Sequence, residues 1–106
     1  MSVYEIDVDE LHEHHRVGAV VIDVREPHEF EEAHVPGAAL IPLGEVADRV
    51  DEFGGPGPIY LICRSGARSR RAAEFLETKG IVAINVAGGT LAWIDAGFPV
   101  DQGGLG

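Results

Sequence analysis

Apolar residues fall in short unbroken runs separated by stretches of helical spacing. Ala19-Val20-Val21-Ile22-Asp23-Val24 and Ile59-Tyr60-Leu61-Ile62 each join large side chains without polar alternation, the pattern of strands buried on both faces. Ala38–Ile41 and Val82–Val86 read as two more strands, and Ser2–Ile6 as a short edge strand. Between them, Pro27 suits a first helical position, with Phe30 and Ala33 on one face. Val46, Ala47, Val50 and Phe53 predict a helix over Gly44–Phe53, stopped by Gly54-Gly55-Pro56-Gly57-Pro58. Ser69 is placed as an N-cap for a helix that buries Ala72, Ala73, Phe75 and Leu76 before Gly80. Asp7 followed by Glu10 resembles a capping box and opens a helix to about His15. Gly88-Gly89 turns the chain into a last short helix, Leu91–Ala96, with Trp93 packed inside. Strands alternating with helices predict an α/β sandwich with a mostly parallel sheet.

Length limits this to one domain over 1–106, with its core at about 4–100 and a flexible tail at 101–106. With 45% hydrophobic and 25% charged residues the composition is that of a soluble globular protein. No apolar run approaches the roughly 20 residues of a membrane span. The start, Met1–Glu13, is acidic and lacks the basic and apolar segments of a signal peptide. A single cysteine cannot close an intramolecular disulfide, which points to a reducing compartment, the cytoplasm. A net charge of −10 argues against nucleic acid as a partner. The charge is uneven: residues 1–63 hold three arginines against fourteen acidic residues, while four arginines fall between Arg64 and Arg71. Arg70 and Arg71 solvate the helix, whereas Arg64 and Arg68 make a basic spot able to steer a small anion.

That spot surrounds the one cysteine. Cys63 follows the run Ile59–Ile62 and precedes Gly66 and the helix, so it sits where a strand turns tightly into a helix N-terminus. Unpaired N–H groups and the positive end of the helix dipole meet there and favour an anion. An ordinary thiol is about 3% thiolate at neutral pH, and raising that to about half takes roughly 2 kcal/mol. One charge-assisted hydrogen bond contributes about 1.5–3 kcal/mol, so one or two loop amides suffice.

Cys63-Arg64-Ser65-Gly66-Ala67-Arg68-Ser69 resembles the active-site loop of the rhodanese-like sulfurtransferases. Asp23-Val24-Arg25-Glu26 with His34-Val35-Pro36-Gly37-Ala38, and Gly88-Gly89-Thr90-Leu91-Ala92-Trp93 with Ala96–Val100, extend the likeness from about Val21 to Val100. It implies a three-layer rhodanese fold with a five-stranded sheet flanked by helices. It also implies that Cys63 takes a sulfane sulfur from a small anionic donor such as thiosulfate, becomes a persulfide, and passes the sulfur to cyanide or to a thiol on a small molecule or a protein. Arg64, Ser65, Gly66, Ala67, Arg68 and Ser69 would then hold the substrate.

The chemistry needs no metal or organic cofactor, because a single thiolate supports both transfers. A lone cysteine cannot run a dithiol cycle, and no nucleotide-binding lysine loop is present. Related phosphatases place five residues between the loop cysteine and its arginine. Four separate Cys63 from Arg68, a smaller ring that favours sulfur over phosphate or arsenate. A carrier or binding module docking one partner enzyme is the reading from another class. Asp23 and Arg25 end a strand on the ligand edge, where they pair with each other, brace the loop, or leave Arg25 to bind the substrate anion. His34 is expected as a structural hydrogen-bond donor. His12, His14 and His15 lack a metalloprotease spacing and are expected at an exposed polar helix end.

Overall fold

The computed structural model describes residues 3–104; Ser2, where the edge strand was expected to begin, and Leu105 and Gly106 of the tail lie outside them. Five strands, β1 (Glu5–Ile6), β2 (Val20–Asp23), β3 (Ala39–Leu40), β4 (Ile59–Ile62) and β5 (Ala83–Val86), form one sheet in the order β1-β5-β4-β2-β3. Every pairing is parallel. The helices are α1 (Val8–His15), α2 (Pro27–Glu32), α3 (Ala67–Glu77) and α4 (Gly89–Asp95).

Strand alternation divides the core in two. Ile22, Ile59 and Leu61 join Ala72, Ala73 and Leu76 of α3 on one face. Val21, Tyr60 and Ile62 join Leu11 of α1 and Trp93 of α4 on the other. This is the three-layer sandwich, with β4 buried at every position. Full burial of side chains such as Leu61 and Ile62 contributes roughly 1.5–3 kcal/mol each. β2 is less enclosed than its run of large residues predicts, since Val20 at its start is exposed.

Three local expectations change. Gly44–Phe53 is not an α-helix but two 3-10 segments, Leu43–Glu45 and Ala47–Phe53. Neither has a side-chain cap, and Arg49 leaves helical geometry (φ −121°, ψ 29°) while its guanidinium bridges Glu45 and Glu52. Val46 and Phe53 are buried and Ala47 is exposed. The histidines near the end of α1 are not a bare polar end. His12 stacks on Phe98, His14 stacks on Tyr60, and His15 Nε2 lies 2.7 Å from the Pro36 carbonyl oxygen. Flat imidazoles cover the aromatic side chains of the α1–α4 layer. Finally, the segment expected to be a loose tail is tied at its start. His34 and Asp101 exchange backbone hydrogen bonds of 2.9 Å, and the Gly103 N–H reaches the Glu31 carbonyl. No helix among the described residues is long and apolar enough to cross a membrane.

After β2 the chain runs outward through α2 to β3; after β4 it runs the other way through α3 to β5. The carboxyl ends of β2 and β4 thus flank a topological switch point, where α/β sheets open a crevice. Cys63 and the pair Asp23–Arg25 lie at those ends.

Candidate active site

The loop Cys63–Gly66 reverses the chain between β4 and α3 in four residues. Gly66 takes φ +108°, a left-handed conformation suited to glycine, and α3 begins at the next residue. Ser69 is therefore not the N-cap. It lies within the first turn of α3, fully buried, with its hydroxyl turned to the cysteine.

Cys63 is 1% exposed. Its Sγ accepts the Gly66 N–H at 3.1 Å and has the Ser69 Oγ at 3.3 Å. Burial pushes the thiol pKa up. Hydrogen bonds from the Ser69 hydroxyl and from the Ser69, Gly66 and Ser65 N–H groups outweigh it, so the net shift is downward. The Ser69 hydroxyl has one proton and three acceptors, because Gly66 O and Asn85 Oδ1 are also within reach. Asn85 on β5 is buried and donates Nδ2–H to Glu5 at 2.7 Å, which fixes its Oδ1 toward Ser69. A polar line thus runs from Glu5 at the sheet edge through Asn85 and Ser69 to the sulfur. Sequence reasoning missed Asn85, whose only signal is one amide in an otherwise apolar strand.

A second helix N-terminus holds the loop from behind. Thr90 donates its N–H (2.8 Å) and its hydroxyl (3.0 Å) to the Cys63 carbonyl, and Leu91 N–H reaches the Arg64 carbonyl at 3.1 Å. With both carbonyls drawn to α4, the following N–H groups are left to face the sulfur. The contact is tight: a Cβ on Gly89 (φ +59°) would lie 2.5 Å from the Cys63 carbonyl oxygen and 2.6 Å from that of Arg64. The sequence shows the glycine pair but not what it presses against.

The arginines separate into two sorts. Arg25 is buried and spends its guanidinium on Asp23 (Nε–Oδ1 2.9 Å, Nη2–Oδ2 2.8 Å) and on the Ala33 carbonyl (2.7 Å). Arg68, in the first turn of α3, grips Glu29 of α2 through two bonds, Nη1–Oε1 at 2.7 Å and Nη2–Oε2 at 2.8 Å. The Arg68 hydrogen bond, working against burial, holds the Glu29 carboxyl down at about 2. Arg64 stands exposed on the rim and forms no ion pair among the described residues. Ser65 and Ala67 are exposed beside it. His34 is buried, stacked on Phe30, with Nδ1 2.7 Å from the Phe30 carbonyl, a structural place away from the sulfur. Among the described residues no group of three His, Cys, Asp or Glu side chains could hold a metal.

A cleft of about 210 Å³ adjoins the loop, lined by Arg25, Glu29, Arg64, Thr90, Leu91 and Ile94. A larger one of about 410 Å³ opens at the other end of the sheet, against Phe53, Gly80 and Val82, and has no titratable lining. Chemistry belongs to the smaller one.

Residues 7–96 match the rhodanese-like domain. The chain belongs to the rhodanese-like family. Thiosulfate sulfurtransferase GlpE of Pseudomonas syringae is 34% identical over 77 residues, 72% of this chain and 73% of that protein. A Bacillus subtilis relative, YrkF, is 46% identical over 74 residues, 69% of this chain but only 40% of its own length. The crystal structure of a rhodanese-related protein from Thermoplasma volcanium superposes with a TM-score of 0.85 at 32% identity, covering 92% of this chain and 96% of that one. The rhodanese-like fold expected from the cysteine loop is therefore the fold found.

Proposed function

We propose that this rhodanese-like domain transfers sulfane sulfur through a persulfide on Cys63. The observation that carries the reading is the Cys63 sulfur itself, lodged in a tight loop and facing the Gly66 N–H and the Ser69 hydroxyl. With thiosulfate, the thiolate forms a bond to the outer sulfur while the S–S electrons leave with sulfite. The loop donors that favour the thiolate also favour the persulfide anion, so the intermediate gains what the resting state has. An acceptor thiolate or cyanide then bonds to the outer sulfur, and Cys63 leaves as thiolate. Both transfers conserve charge and draw on a single nucleophile.

The acceptor must come to the rim, where Arg64 stands beside half-exposed Leu91 and Ile94 (41% and 44%) on a strongly acidic body. A protein thiol ringed by basic residues gains from that whole surface; a small anionic thiol such as glutathione gains from the rim alone. The same feature supports the second reading, a persulfide carrier dedicated to one partner enzyme in the cytoplasm.

Intact mass after incubation with thiosulfate tests the proposal. One added sulfur, removed by a reductant and absent from Cys63→Ser, is expected, together with thiosulfate:cyanide turnover in the wild type alone. Turnover retained in the folded Cys63→Ser variant, or faster hydrolysis of an aryl phosphate than transfer from thiosulfate, overturns it.

A further inference from the structure

The cleft beside the loop is built from opposed charges. Asp23 faces Arg25, Glu29 faces Arg68, and Glu32 lies on the same lining as Arg64. Arg25, Glu29, Glu32 and Arg64 line the cleft itself, while Asp23 and Arg68 pair with two of them from outside its lining. Of the three cations only Arg64 forms no ion pair among the described residues. Arg68, in the first turn of α3 just past the loop, is close enough to Cys63 to feel its charge, and both ends of its fork are taken by Glu29.

We propose that Glu29 is a specificity-determining residue, which by clamping Arg68 withholds it from the sulfur donor and tunes the site toward donors of single negative charge over dianions. The inference rests on the sulfur-transfer reading above. A dianion brings two charges to a mouth with one free cation, past the Glu29 and Glu32 carboxylates. A monoanion is matched by Arg64. Glu29 acts through Arg68 and touches neither sulfur, so it is a positioning residue. Its tie to α2, where Oε1 also accepts the Glu26 N–H at 3.0 Å, keeps the clamp in place.

Two donors that break the same kind of bond separate charge from reactivity. From thiosulfate, a dianion, Cys63 takes the outer sulfur and sulfite leaves with the S–S electrons. From the methanethiosulfonate anion it takes the same sulfur and methanesulfinate leaves with them. With cyanide as common acceptor, the ratio of kcat/KM for thiosulfate to that for methanethiosulfonate cancels any general loss of activity.

Glu29→Gln keeps an acceptor for the Glu26 N–H but frees the Arg68 fork. It is expected to raise the ratio about tenfold, equivalent to about 1.4 kcal/mol of differential binding. The rise should vanish when the same change is made in Arg68→Gln, because there is then no cation to release. Glu29→Asp, which keeps the charge but shortens the reach, should raise the ratio by a smaller factor and serves if Glu29→Gln does not fold. Both donors falling together in the variants, an unchanged ratio, or a rise that persists without Arg68 overturns the role of Glu29 while leaving sulfur transfer standing. Failure of both donors to load sulfur on wild-type Cys63 overturns sulfur transfer, and the proposal with it; loading from thiosulfate but not from methanethiosulfonate overturns the proposal alone.

Discussion

The single proton on Ser69 Oγ is contested by the Cys63 sulfur and Asn85 Oδ1, and removing the hydroxyl or the Asn85 amide should move the thiolate in opposite directions. While Cys63 is a neutral thiol, Asn85 Oδ1 is the better acceptor and takes that proton. When the sulfur ionises, the hydroxyl can turn to it across 3.3 Å. A hydrogen bond to a charged acceptor contributes about 1.5–3 kcal/mol and a neutral one about 0.5–1.5 kcal/mol. The hydroxyl therefore favours the thiolate by a net of about 1 kcal/mol, roughly a fivefold change in thiolate population. Ser69→Ala should shift the pH profile of iodoacetamide alkylation of Cys63 upward and slow alkylation about fivefold below its midpoint. Asn85→Leu removes the competitor, leaves Gly66 O as the only other acceptor, and should shift the profile downward. Circular dichroism checks that both variants fold. Shifts of the same sign, or none in Ser69→Ala, would refute the competition and leave the loop amides as the source of thiolate stabilisation.

Two further outcomes follow from packing and charge. Gly89→Ala should destabilise the domain by more than about 2 kcal/mol, lowering Tm by roughly 10 °C, because its Cβ would meet two loop carbonyls at a left-handed φ; sulfur loading of the folded fraction should fall as well, and an unchanged Tm would refute the close approach. Glu29 has its carboxyl lowered from 4.5 to about 2 by Arg68, so the stability it contributes is complete above pH about 4.5 and is lost as the pH falls toward 2. That span corresponds to at most about 3 kcal/mol, nearer 1–2 kcal/mol with solvent screening of an Arg68 side chain 31% exposed. Urea unfolding across this range should show a slope that Glu29→Gln flattens; equal slopes in both proteins would refute it.

How far the chain could be read before it was folded depended on sequence distance. Ile59–Ile62, Cys63 and the helix after Gly66 are one local unit, so period, turn and candidate nucleophile were all legible together. The fold class followed from the same alternation of strands and helices. The errors lie where local signals had two meanings. Ser69 looks like a cap because serine before an apolar helical face usually is one; here Gly66 opens the helix and the hydroxyl serves sulfur. Val46, Val50 and Phe53 are spaced four and three apart, which cannot separate an α-helix from two 3-10 segments, the second kinked at Arg49. The remainder is non-local. Arg68 and Glu29 stand 39 positions apart, Asn85 and Glu5 80, and no periodicity joins them. Arg68 was accordingly read as free to steer an anion, when its charge is already matched.

The grip of Thr90 and Leu91 on the Cys63 and Arg64 carbonyls makes the seven-residue cysteine motif less portable than it looks. Half of its mould is cast by residues more than twenty positions downstream, pressed so close that only a glycine passes. Grafting Cys63–Ser69 alone onto another strand-to-helix junction would carry the nucleophile without its backing. The carbonyls would be free to rotate inward, and the sulfur would then face oxygen where it now faces N–H. In protein engineering, and in the divergence of related chains, the transferable part is a pair of distant segments that must change together.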